Sequence, residues 1–139
     1  MKLLTSLLVI WGCLVVGCMT VNGGYSYSMI VVNTGTEIMH AIHIQSMNTE
    51  WGDYGPHSIL IPFAQSVHRG PIPAPPNGRF VYSWRDAKGG EHREEIDMKG
   101  KVGRLFQGEI VFIVDGNNTL TVKTYDQRGG YRMPPKTKQ

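Results

Sequence analysis

The chain has 139 residues, 41% of them hydrophobic and 18% charged, with 14 Lys+Arg against 11 Asp+Glu. That length suits one domain rather than two, and the composition is that of a packed protein rather than a disordered one. The positive balance is concentrated at the end, where Arg128, Arg132, Lys136 and Lys138 stand against Asp126 alone, so the body offers no basic face with interleaved aromatics for a nucleic acid.

Lys2 supplies one positive charge, and Leu3 to Val16 follows as an almost continuous apolar run of 14 residues. Such a run has the length of an export-signal core and falls short of the ~20 residues that span a bilayer comfortably as a helix. No small-x-small cleavage pattern closes it. It ends instead on Val15-Val16-Gly17-Cys18. This resembles the lipobox of bacterial lipoproteins, a resemblance confined to the first 18 residues. It implies a removable signal over residues 1–17, with Cys18 becoming the acylated first residue of the mature chain. The chemistry fits that order: Gly17 leaves room for a peptidase, and the Cys18 sulfur can form the thioether to diacylglycerol. Two or more acyl chains anchor a protein stably, where one holds it only reversibly. Met19, in place of an Asp, favours the outer membrane by the same resemblance. Cys13 leaves with the signal, so an acylated Cys18 leaves no thiol for a disulfide and the core alone must hold the domain.

Residues 18–26, with Asn22-Gly23-Gly24, read as a short tether. From Tyr27 the pattern is β. Ser28–Asn33 stops at Asn33-Thr34-Gly35. Met39–Gln45 alternates, which sets His40, Ile42 and Ile44 on one face and Met39, Ala41 and His43 on the other. Ser58–Ile61 is stopped by Pro62, and Ser66–Arg69 has the look of an edge strand. Phe80–Arg85 puts Phe80, Tyr82 and Trp84 on one face, and Glu91–Met98 follows a glycine-containing loop. Glu109–Val114 and Thr119–Tyr125 flank Asp115-Gly116-Asn117-Asn118, a hairpin signal. The expectation is an all-β fold: a single antiparallel β-sandwich, immunoglobulin-like or transthyretin-like, of seven to eight short strands over residues 27–126. Its expected core includes Ile110, Phe112, Val114, Leu120 and Val122. Residues 127–139 read as a disordered basic tail. Gly70 to Pro76 reads as a stiff extended connection.

Candidate chemistry is thin. His40 and His43 point to opposite faces of a regular strand and cannot close on one metal. Glu94 and Glu95 likewise point apart, which argues against a general acid/base pair, and the nearness of Ser66 and His68 in sequence is too common by itself to mark a nucleophile and its base. No glycine-rich phosphate loop opens a helix. Neither a catalytic residue, a metal nor a cofactor is therefore expected. The loop from Ser46 to Pro56 carries Trp51 and Tyr54 beside Glu50 and Asp53. Those four suit contact with a sugar or a protein partner, against the simpler alternative that Trp51 folds back to cap the core. The expected role is a non-catalytic binding or accessory module of the cell envelope, lipid-anchored through Cys18 and facing the periplasm. Its partner would be a protein or envelope polymer, not a nucleic acid. A structural subunit of an envelope or secretion assembly, or a toxin-neutralising, immunity-type lipoprotein, are the alternatives.

Overall fold

The computed structural model describes residues 23–49 and 54–136, and of residues 54–58 the backbone alone. Among them lie β1 (Ser28–Asn33), β2 (Met39–Ser46), β3 (Tyr54–Leu60), β4 (Ala64–Arg69), β5 (Arg79–Arg85), β6 (Glu91–Asp97), β7 (Glu109–Val114) and β8 (Leu120–Tyr125). They form two four-stranded sheets, β4-β1-β7-β8 and β3-β2-β5-β6, packed face to face as a sandwich. The strands begin and end where turn residues interrupt the apolar pattern. Asp86 closes the β5–β6 hairpin by accepting the Lys88 and Gly90 backbone N–H groups at 2.9 and 2.8 Å. Asp115 closes β7–β8 in the same way, through Asn117 and Thr119 at 2.8 and 3.0 Å.

One strand pair departs from the antiparallel expectation: β1 runs parallel to β7, with Ser28 opposite Glu109 and Asn33 opposite Val114. The first strand thus pairs with the fourth and seventh and not with the second, as an immunoglobulin order would require. Of the two arrangements expected, the transthyretin-like one remains.

The core lies between the sheets. Phe80, Tyr82 and Trp84 from β5 meet Ile110, Phe112 and Val114 from β7, all buried, and Leu120 and Val122 pack half-buried beside them. The Tyr82 and Phe112 rings stack with centroids 5.5 Å apart, an arrangement worth about 1 kcal/mol beyond area burial. Buried Asn33 ties the β1–β2 turn to the end of β3, its amide donating to the Glu37, Leu60 and Ile61 carbonyls while its oxygen accepts from Gly35 N–H. The connection from Gly70 to Gly78 is not a surface strap: Ile72, Ala74 and Pro76 are buried, and the Tyr27 hydroxyl donates to the Ala74 carbonyl at 3.0 Å. Burial first, and the neighbouring Tyr25 second, push the Tyr27 phenol far above its ordinary range.

Two expectations are corrected. The alternation predicted for β2 breaks at a bulge, where Ala41 takes φ 47°. The pairing partners step from Arg85 to Ser83 while β2 steps from His40 to His43. Met39, Ile42 and Ile44 therefore enter the core together, and His40 and His43 share the outer face instead of facing apart. An extra residue in one strand reverses every later side chain, which no count of period two anticipates. The second correction concerns residues 127–136, read from sequence as a disordered tail. They run back over the outer face of the first sheet. Tyr131 and Met133 pack on Ile30, Val32 and Val111. The buried Glu109 carboxylate accepts the Gly129 and Tyr131 backbone N–H groups at 2.5 and 3.0 Å, and the Lys136 ammonium sits 5.7 Å from the centre of the Phe63 ring.

Candidate functional site

The sandwich has two poles of different character. At one, the chain enters: Tyr25 exchanges backbone hydrogen bonds with Ile72, at 2.7 and 2.9 Å. There β4 ends at Arg69 opposite Ser28, β7 begins at Glu109, and β8 ends at Tyr125 opposite it. The exposed side chains at this entry pole are largely basic. Arg104 Nε donates to the Tyr25 hydroxyl at 3.3 Å, and Arg128 Nη2 donates to both the Ser26 carbonyl and its hydroxyl at 3.0 Å. Next to Arg104 stands Leu105, 84% exposed.

The far pole carries the β1–β2, β3–β4, β5–β6 and β7–β8 turns. Its carboxylates include Glu37, Asp86, Glu91 and Asp115, and it exposes Ile38, Ile59 and Ile61, the last two at 53 and 60%. Asp86 is engaged in structure. His92 Nε2 lies 2.8 Å from its Oδ2, and the His92 ring stacks on Trp84 at 4.9 Å. The His92 hydrogen bond chiefly, then the Gly90 and Lys88 N–H groups, hold the Asp86 carboxyl below the usual carboxylate range. This pair fastens a hairpin. Ser83, the nearest hydroxyl in sequence, pairs with Arg93, one register position from the Trp84–His92 pair, and so projects to the other face of the sheet from His92.

The outer face of the second sheet holds an open groove of about 490 Å³ beside the β2 bulge, lined among others by His43, Ser83, Arg85, Glu91 and Arg93. Its charges are largely paired, Arg85 of β5 with Glu91 of β6 at 2.9 Å and Arg93 with Glu95, two residues further along β6, at 3.9 Å. The bulge does bring His40 and His43 to one face, yet no three His, Cys, Asp or Glu side chains converge in metal-binding geometry among the described residues. Glu94 and Glu95 do point apart, opposite Tyr82 and Val81 respectively.

Of the residues singled out from sequence, Cys18, Glu50, Trp51 and Asp53 lie outside the described residues. Tyr54 opens β3 opposite Ile44. The loop that carries them leaves the sheet at Ser46 and Asn48, where Asn48 Oδ1 accepts the Arg79 N–H at 2.7 Å. It therefore departs from, and returns to, the entry pole. Sequence reasoning missed the polarity of the molecule. Leu105, flanked by Arg104 in a loop with three glycines, was the available signal, and it gains meaning only once the loop is placed beside Tyr25.

No family model matches the chain, and no curated protein matches it. Among solved structures, a protein from Eubacterium rectale determined by NMR is similar, with 11% identity, a TM-score of 0.48, and coverage of 76% of this chain and 93% of that one. The fold and its surfaces define the chain as an eight-stranded two-sheet sandwich among the described residues, with a basic entry pole and an isoleucine-bearing far pole of mixed charge.

Proposed function

We propose that this protein is a lipid-anchored, non-catalytic binding module of the cell envelope, held at Cys18 and facing the periplasm, with its far pole turned to a protein or envelope-polymer partner. The observation that carries the reading is the sequence Val15-Val16-Gly17-Cys18 after an apolar run of signal length, only seven residues before the folded entry at Tyr25. Anchoring at that point would leave the far pole uppermost, where Ile59 and Ile61 offer exposed apolar contact within a polar rim. The Trp51 loop leaves the fold at the opposite pole, which speaks against it as the outward-facing contact.

Intact-mass analysis of membrane-extracted protein tests the anchor. The expected mass is that of the chain from Cys18 plus acyl groups; a bare thiol or an attached leader sinks the reading. Crosslinking in cells followed by mass spectrometry tests the partner face. Ile61→Asp is expected to reduce partner capture at least tenfold, the effect of about 1.4 kcal/mol, with an unchanged melting temperature. Stoichiometric co-purification with an inner-membrane complex would instead mark a structural subunit. One tight partner that is lethal only when this protein is deleted would mark a toxin-neutralising role.

A further inference from the structure

We propose that the entry pole is itself a lipid-docking surface, which seats on anionic phospholipid headgroups with Leu105 set into the interface; this rests on anchoring at Cys18. The fold is fixed from Tyr25 onward by its paired hydrogen bonds with Ile72. Tyr25 lies seven positions after Cys18, and seven residues reach at most about 25 Å. Whatever the tether's path, this pole stays within reach of the headgroups.

The chemistry of the pole suits that neighbour. Arg104 and Arg128 both hydrogen-bond the entry segment, through Tyr25 and Ser26, while their side chains remain exposed. Arg69 ends β4 beside Ser28, and Lys101 lies in the β6–β7 connection at the same pole. The described carboxylates near them are Glu94, Glu95 and Asp97, which share a cleft with Lys101, then Asp126, and the buried Glu109, which is occupied by Gly129 and Tyr131. Leu105 is held outward by a short turn, in which Phe106 N–H donates to the Gly103 carbonyl at 3.2 Å and the Phe106 ring packs against the core. An apolar side chain at 84% exposure amid guanidinium groups is the pattern of an interfacial anchor. At the far pole Glu37, Asp86, Glu91 and Asp115 stand among Arg85, Lys88 and Lys136, so it offers the same surface no excess of positive charge and the entry pole is the favoured face.

The test uses the mature lipidated protein carrying Leu105→Cys, labelled with an environment-sensitive fluorophore and reconstituted into phosphatidylcholine vesicles with or without phosphatidylglycerol. With phosphatidylglycerol, the label is expected to be quenched by nitroxide-bearing lipids and shielded from aqueous iodide. A label at Asn117→Cys, on the far pole, is expected to stay open to iodide. Arg69→Gln and Lys101→Gln leave the Tyr25 and Ser26 contacts intact, and each should lower the docked-to-undocked ratio about fivefold. A Leu105 label that remains open to iodide in phosphatidylglycerol vesicles, on protein whose mass shows an acylated Cys18, overturns the docking and leaves the anchor standing. A bare Cys18 in the same mass measurement overturns the anchor and the docking with it.

Discussion

The two sheets present opposite answers to the same problem of an outer face. On the first sheet, β1 is buried along its whole length, because Ile30, Val32 and Val111 are covered by Tyr131 and Met133. On the second, β6 is exposed at five of its seven positions and faces water with Glu91, Arg93, Glu95 and Asp97. The strand sequences carry the difference. Met29-Ile30-Val31-Val32 and Ile110-Val111-Phe112-Ile113-Val114 are continuous apolar runs, the mark of strands covered on both sides. Glu91-His92-Arg93-Glu94-Glu95-Ile96-Asp97 has a single aliphatic residue. A continuous run demands a cover, and the cover here is the segment whose glycines, prolines and charges read as a frayed end.

The sharpest way to break this comparison is to remove the cover. A chain ending at Tyr125 would leave Ile30, Val32 and Val111 facing water and Glu109 without its two N–H donors. The expected loss is on the order of 4 kcal/mol, read as a lower urea midpoint and new binding of a hydrophobic dye. An unchanged midpoint would show that the strap lends the sheet nothing. A finer probe is Glu109→Gln, which keeps the shape and one acceptor but loses the charge that strengthens both hydrogen bonds. The cost should be about 2 kcal/mol by denaturant titration.

The bare sheet should respond to pH at its hairpin. The folded-state pKa of Asp86 lies below its unfolded value. Its contribution to stability is therefore fully present above the unfolded pKa of about 3.9 and is lost as pH falls through the lower folded value. Wild type is expected to lose stability over that window relative to Asp86→Asn. Parallel stability curves for the two proteins between neutral pH and pH about 2 would remove the carboxylate from the account. The smallest effect belongs to the exposed ladder on the same sheet. Arg85 and Glu91 meet at 2.9 Å, but their side chains are 50 and 77% exposed, so Glu91→Gln should cost less than about 1 kcal/mol and less still in high salt.

Strand positions were legible wherever turn chemistry and an apolar pattern coincided. Ser28–Asn33 and Glu109–Val114 match at both ends, and the Phe80, Tyr82, Trp84 face is buried as its alternation required. β3 was half seen, as Ser58–Ile61, because Gly55-Pro56 breaks the strand signal after Tyr54 and the segment is recruited by pairing with β2. The candidate site at the entry pole was not legible. Nothing near Leu105 or Arg104 in sequence points to Tyr25, which lies 79 residues from Arg104.

Local chemistry, then, determined the class of fold and the two Asp-closed hairpins, since each depends on residues within a few positions of one another. Three features were decided by tertiary structure alone: the bulge at Ala41, the parallel pairing of β1 with β7, and the strap over the first sheet. Each depends on which distant surfaces need covering. That choice is made when the apolar faces pack together, because burial rewards the whole arrangement and no single segment carries enough of it to declare its partner.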